Sequence, residues 1–140
     1  MKKWSLTTLA DGLLGNALKS SEGRGIRTVD GGRPQLLHQS VIALAKGQRL
    51  DEHDSPGGAT VQVLRGRVRV TAGDDTTDGS TGQLLIVPGA RHTLTALEDA
   101  VLLRTVVRRV TSSAADAVGT HPSASYQPQP QRRRWPVNAP

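Results

Sequence analysis

The sequence contains no cysteine and very few aromatic residues: two tryptophans, one tyrosine and no phenylalanine among 140 residues. Without cysteine the chain can form no disulfide, offers no thiolate nucleophile and cannot hold zinc through sulfur. Without phenylalanine, the core must be built from valine, leucine, isoleucine and alanine. No apolar run approaches the roughly 20 residues that a membrane-spanning helix needs. We therefore predict a cytoplasmic protein with no membrane partner.

Turn-forming residues are plentiful, with fifteen glycines and eight prolines. This content is typical of an all-β chain that reverses direction often. The net charge is +6, but part of it comes from three consecutive arginines at residues 132–134, and the rest of the chain has no basic run. A diffuse excess of this kind favours solubility over nucleic-acid binding, so nucleic acid is not predicted as a partner.

The first segment, residues 1–24, predicts a helix followed by a loop. Its apolar residues recur at the spacing of one helical face. They are Leu6, Leu9, Ala10, Leu13, Leu14, Ala17 and Leu18. Ser5 suits the N-cap and Lys19 suits the last turn. The apolar face needs a surface to pack on, either the chain's own barrel or a neighbouring molecule.

From residue 25 onward the hydrophobic pattern has the period of two that β-strands show. The predicted strands are residues 27–30, 35–44, 60–71, 84–87, 93–97 and 100–110. Gly66 interrupts the third of these, and the apolar residues change parity across it: Val61 and Val63 precede it, Val68 and Val70 follow. A parity change at glycine indicates a bulge or a barrel corner. Short strands with regular turns predict a sandwich or closed barrel over residues 25–111.

Residues 112–140 have a different composition, dominated by serine, alanine, proline, glutamine and arginine. This segment lacks the apolar residues that a core requires, and we predict a disordered tail.

Two other charged groups have simple interpretations. Arg65, Arg67 and Arg69 predict a row along one side of a strand, favoured as a solvated edge over an anion-binding stripe. Residues 74–78 hold three aspartates but lack the glycine and distal glutamate of a calcium loop, so we interpret them as a solvated hairpin turn.

The chemically informative residues lie in two windows. The first, residues 47–66, reads GQRLDEHDSPGGATVQVLRG. In it Gly47 is followed after five residues by His53, then by Ser55 and Ala59, and Gly66 closes the window. The second, residues 82–92, reads GQLLIVPGARH, with Gly82, Pro88 and His92 as its fixed points.

This arrangement resembles the two motifs of the cupin family over roughly residues 34–107. The first motif is a glycine, five residues, His-x-His, three or four residues, a glutamate, six residues and a glycine. In this chain His53 matches the first histidine, Ser55 replaces the second, and Ala59 replaces the glutamate. In the second motif Gly82, Pro88 and His92 match, one residue short of the commonest spacing.

The resemblance implies a fold and a site. The fold is a double-stranded β-helix, the cupin jelly-roll barrel, preceded by the amphipathic helix. His53, His92, Ser55 and Ala59 would line its pocket. Arg91, beside His92, either reaches an anion at the pocket mouth or, as is commoner for arginine, lies exposed at the surface. Homodimerisation is also expected from the resemblance.

Three imidazoles and a carboxylate at one interior point suit a divalent transition metal such as Fe, Mn, Ni or Zn. This chain keeps His53 and His92, so a metal would be bound weakly. Residues weighed as a third ligand are His38, Glu52, Asp54 and Gln62. Glu52 and Asp54 flank His53, so on a strand they would point to the opposite face. Gln62 has the other parity from Ala59, and His38 is favoured as a partly buried histidine with a hydrogen bond.

Three functions remain open from the sequence. The favoured one is a non-catalytic barrel that binds a small molecule, since Ser55 and Ala59 replace two metal ligands. The second is a metal-dependent enzyme, dioxygenase- or isomerase-like, with a two-histidine site. The third is an interaction or DNA-associated protein that uses the basic tail, where three arginines would contribute little salt-dependent affinity.

Overall fold

The computed structural model describes residues 1–31, 36–52, 58–89 and 91–107, which form one helix and nine strands. The helix α1 spans Leu6–Lys19. The strands are β1 (Arg24–Asp30), β2 (Leu37–Leu44), β3 (Arg49–Glu52), β4 (Ala59–Arg65), β5 (Arg67–Ala72), β6 (Asp75–Ser80), β7 (Leu84–Val87), β8 (His92–Ala96) and β9 (Ala100–Val107).

The strands form two antiparallel sheets. Sheet A has the order β1-β2-β9-β4-β7, and sheet B has the order β3-β8-β5-β6. Strands that follow one another in sequence alternate between the sheets at several points, so the chain winds around a common interior. This is the predicted all-β jelly-roll barrel, and the fold prediction is confirmed.

The barrel interior is aliphatic, as the lack of aromatic residues requires. Alternate residues of both sheets point inward. The buried interior cluster comprises Ile42, Leu44, Ala59, Val61, Val63, Val68, Val70, Leu85, Val87, Leu94, Ala96, Ala100 and Leu102, with Leu50 and Val106 packed against it.

Helix α1 covers part of the outer face of sheet A. The Ser5 side chain caps it by accepting a hydrogen bond from the Thr8 backbone N–H at 3.3 Å. Ala10 and Ala17 are fully buried against Val41 and Val101 of the sheet. Of the predicted apolar face, Leu18 is 52% exposed and the other residues pack on the chain's own barrel. This packing removes one reason for expecting a dimer.

Gly66 is the corner at which the chain passes from sheet A to sheet B. It adopts a φ of +77°, and a side chain there would collide with the carbonyl oxygen of Asp99. The pairing of β4 with β9 also shifts register between Val63 and Arg65. Consequently Val63 and Val68, which differ in parity, both reach the interior, as the sequence pattern predicted.

Strands β3 and β6 are absent from the sequence prediction. The hairpin-turn interpretation of residues 74–78 is wrong in part, because β6 starts at Asp75 and contains Asp78. Only Asp74 lies in the turn. Strand β6 has no large apolar residue, and most of its residues are exposed at the edge of sheet B. Register with β5 places Asp78 directly opposite Arg69.

The predicted tail, residues 112–140, lies outside the described residues, and its disorder stays a prediction. Within the described part of the chain, no helix has the length and apolar character needed to cross a bilayer.

Candidate functional site

One end of the aliphatic interior is lined by polar side chains. Two of them, His92 and Glu52, come from sheet B. His92 begins β8 and is only 4% exposed, on the same face as buried Leu94 and Ala96. Glu52 ends β3 and shares its parity with Leu50, which packs against the interior cluster. Register pairs Glu52 directly with His92. Side chains opposite one another in an antiparallel pair have Cβ atoms about 5 Å apart, so both groups enter the barrel together.

Sheet A contributes the partner of this pair. Arg104 lies on β9 between inward-facing Leu102 and Val106, and its Nη1 donates to both carboxylate oxygens of Glu52 at 2.6 Å. The side chains of Arg104 and Glu52 are 27% and 15% exposed. This ion pair crosses the interior from one sheet to the other. Ser40 and Val61 are the neighbours of Arg104 on the adjoining strands.

The Nε atom of Arg104 is buried and has no hydrogen-bond partner among the described residues. A buried donor without an acceptor is costly, by roughly 1–3 kcal/mol. Native structures contain few such groups, and each needs an explanation in terms of a missing partner or a functional role.

His38 lies on β2, two residues before Ser40 and on the same face of the strand. It pairs with Val106, has the inward parity of Ile42 and Leu44, and is half-buried. Gly31 lies against its ring: a Cβ at Gly31, whose φ is +147°, would come within 2.5 Å of Nδ1. His38 is thus partly buried, as the sequence predicted.

The other predicted residues have varied outcomes. His53, Ser55 and Asp54 lie outside the described residues. Ala59 opens β4, faces inward and is 8% exposed, between Val106 and Val87 on the neighbouring strands. The residue at the position of the motif's glutamate therefore faces the interior, but it is an alanine and offers no carboxylate.

Arg91 precedes β8 and is exposed. Gln62 has the opposite parity from buried Val61 and Val63, as predicted. The prediction that Glu52 faces away from the interior is wrong, because the alternation set by Leu50 directs Glu52 inward to Arg104.

The described residues do not fit the metal that the fold implies. Among them, no group of three or more histidine or carboxylate side chains is placed to hold an ion. Glu52, whose carboxylate reaches the His92 end, is already paired with the guanidinium of Arg104 at 2.6 Å. A fixed cation at this distance opposes a second cation by Coulomb repulsion.

A cleft of about 210 Å³ opens between the edges of the two sheets. Its wall combines strands β5 and β6 of sheet B with β7 of sheet A. The lining residues are Val70, Ala72, Asp75, Thr77, Leu84, Leu85, Ile86, Val87 and Pro88. Leu85 and Val87 pair with Val61 and Ala59 on β4, the strand next to Arg104. At about 4.8 Å per strand, the cleft wall lies roughly 10 Å from the Arg104 backbone.

The three arginines predicted as one row are divided between two sheets. Arg65 lies at the end of β4 and pairs with Asp11 of the helix. Arg67 and Arg69 lie on the outer face of sheet B. Arg69 donates from Nε and Nη2 to Asp78 at 2.7 and 3.0 Å. This hydrogen bond holds the pKa of the Asp78 carboxyl below its ordinary value. Carboxylate partners therefore favour the solvated-edge interpretation over an anion-binding stripe.

No protein-family model matches the chain, and no curated protein matches it. Solved structures do. A conserved protein of unknown function from Streptococcus pyogenes is 31% identical, with a TM-score of 0.57, over 66% of this chain and 80% of that one.

Two further structures are less similar in sequence. A cupin superfamily protein from Desulfitobacterium hafniense is 17% identical, with a TM-score of 0.53, over 61% of this chain and 79% of that one. The Cnp3 cupin domain from Schizosaccharomyces pombe is 16% identical, with a TM-score of 0.57, over 71% and 70%. With two facing antiparallel sheets, an aliphatic interior and these structural neighbours, the chain has the cupin fold, in one small barrel.

Proposed function

We propose that this barrel binds a small organic molecule without catalysing a reaction on it. One observation carries the proposal: a few polar side chains, Glu52, Arg104 and His92, converge at one end of an otherwise aliphatic interior. Binding sites for small molecules are typically apolar cavities in which a small number of polar groups fix the orientation of the ligand.

The charge arrangement supports binding over metal-dependent catalysis. A metal-dependent site needs anionic or neutral donors that are free to coordinate. Here the inward position at residue 59 is an alanine, and the inward carboxylate of Glu52 is bonded to Arg104. The inward imidazole of His92 also serves as a hydrogen-bond donor or acceptor to an organic ligand.

The first measurement is the metal content of the purified, untagged protein by mass spectrometry, after growth with added transition metals. It is made on the native protein, on the His53→Ala, His92→Ala double variant, and on His121→Ala, which removes a histidine of the predicted tail. We expect background metal in all three. Near-stoichiometric metal that only the double variant loses would overturn the proposal in favour of the two-histidine enzyme.

The second measurement is a small-molecule fragment screen observed on methyl NMR signals. Binding in the barrel should shift the methyl signals of Val61, Val87 and Leu94, which face the interior. The signals of Val41 and Val101 belong to the cluster under the helix and are the internal control. Fragments that shift only the control methyls, or no methyls at all, would contradict a ligand site in the barrel.

A further inference from the structure

The unpartnered donor of Arg104 indicates what kind of ligand the barrel takes. A guanidinium carries five N–H donors in one plane. Glu52 is bonded through Nη1 alone, and the buried Nε has no acceptor among the described residues. The edge formed by Nε and Nη2 faces away from the Nη1 contact. Its two parallel N–H bonds match the two oxygens of a carboxylate.

We propose that the ligand is a small aliphatic carboxylate whose two oxygens accept hydrogen bonds from Nε and Nη2 of Arg104. This inference rests on the proposed function and specifies its ligand class. One oxygen of the ligand would supply the hydrogen-bond acceptor that the buried Nε of Arg104 lacks. Glu52 stays bonded to Nη1, so the arginine is held in position by one carboxylate while it binds another.

The walls near Arg104 define the rest of the ligand. Val61 flanks Arg104 on β4, and Val106 follows it on β9 with Ala59 beside it. Leu94 and Val87 belong to the same interior cluster as Val61 and Ala59. Such walls favour a hydrocarbon body over a polar one, because an additional hydroxyl or charge there would lose its hydration without gaining a partner.

The probes are isobutyrate and isobutyramide, which share a shape and differ in charge. Each is titrated into the full chain while the Arg104 Nε–H signal is followed in a ¹H–¹⁵N NMR spectrum. We expect isobutyrate to move this signal downfield in a saturable way at millimolar concentration. We expect isobutyramide to bind about tenfold more weakly, because a charge-assisted hydrogen bond is about twice as strong as a neutral one.

Three variants sharpen the test. Glu52→Gln removes the competing negative charge while it keeps an acceptor for Nη1, so isobutyrate affinity should rise about three- to tenfold. Arg104→Lys keeps the charge and loses the planar fork, so affinity should fall about tenfold. In this variant the Val61 methyl signal is followed, because lysine has no guanidinium Nε–H. Arg69→Lys makes the same replacement on the outer face of sheet B and should leave affinity unchanged.

The outcomes separate this inference from the function on which it rests. Equal affinity for isobutyrate and isobutyramide, or an unchanged affinity in Glu52→Gln, would overturn the carboxylate while leaving a small-molecule barrel in place. If neutral fragments alone move the interior methyl signals, the carboxylate is likewise overturned and the small-molecule barrel remains. If no probe or fragment moves an interior signal, both the inference and the proposed function fail. Because the Nε–H signal is read in the native protein, the test does not depend on the folding of any variant.

Discussion

Gly66 lies directly against the carbonyl oxygen of Asp99, at the corner where the chain leaves one sheet for the other. Two constraints meet at this residue. Its φ of +77° lies in the left-handed region, which costs a residue with a side chain about 1–2 kcal/mol. In addition, any Cβ would overlap backbone atoms of Asp99 and Ala100, which cannot move as the end of a flexible side chain can.

We therefore expect Gly66→Ala to lower the free energy of unfolding by more than about 2 kcal/mol, the strain of the backbone conformation plus the steric overlap. Urea unfolding monitored by circular dichroism measures it. The matched control is Gly73→Ala, whose φ is +61° with no atom within 4 Å of the added Cβ. It should cost only the conformational term, about 1 kcal/mol. Equal losses in the two variants would show that the contact with Asp99 is unimportant.

The parity change at Gly66 illustrates how much of the fold could be predicted from sequence. Valines that alternate, stop at a glycine and resume with the other parity specify both the interior face and the corner. Strand β6 could not be found in this way, because its sequence, DTTDGS, has no apolar alternation. Its position is set by pairing with β5, including the Arg69–Asp78 contact, and such pairing is a tertiary property.

Part of the candidate site could also be predicted from the sequence. Leu50 is the one apolar residue of β3, and the period of two from it predicts that Glu52 faces inward. The cupin motif instead placed His53 in the pocket, and the same alternation then placed Glu52 on the opposite face. Arg104 carries a similar signal: a charged residue at the parity of Leu102 and Val106 within an apolar strand. What sequence cannot supply is that Glu52 and Arg104, 52 positions apart, meet across the interior.

The Arg69–Asp78 pair predicts an acid-dependent contribution to stability. The hydrogen bond from Arg69 lowers the pKa of Asp78 in the folded state. A carboxyl with a depressed folded-state pKa stabilises the protein fully above its unfolded pKa, about 3.9, and loses this contribution as the pH falls through the folded value. Asp78→Asn should therefore be less stable than the native protein at neutral pH, with a difference that shrinks in acid.

Urea unfolding at neutral pH and below the ordinary aspartate pKa measures this difference. Asp74→Asn is the control, since Asp74 lies in the turn next to β6. A difference between Asp78→Asn and the native protein that stays constant with pH would contradict the role of the ion pair.

The packing of α1 on sheet A gives a third prediction. Ala17 is fully buried in the cluster between the helix and the sheet. Ala17→Leu should lower the free energy of unfolding by about 1–3 kcal/mol, the usual cost of overpacking. The neighbouring change Leu18→Ala alters a side chain that is 52% exposed and should have an effect within about 0.5 kcal/mol. Thermal unfolding of the two variants compares them, and a larger loss in Leu18→Ala would mean that the helix packs through a different face.

The ion pair of Glu52 and Arg104 gives the prediction that bears most directly on function. Removing one member leaves the other partly buried without a partner. Glu52→Leu and Arg104→Met should each therefore lower the free energy of unfolding, by about 2–4 kcal/mol, less than for a fully buried pair. The double variant replaces the pair by apolar groups that suit the aliphatic interior, and it should be as stable as the native protein or more stable.

The comparison of these four proteins by urea unfolding decides whether the pair is there for stability. A double variant with native stability means that an apolar interior would serve the fold equally well, so the retention of a guanidinium and a carboxylate at this end of the barrel is explained by what they bind. The exposed pair Arg69 and Asp78, replaced by the same two residue types, is the control and should show much smaller coupling. If the Glu52→Leu, Arg104→Met protein is instead less stable than either single variant, the pair holds sheet B to sheet A, and its polar character would then require no ligand.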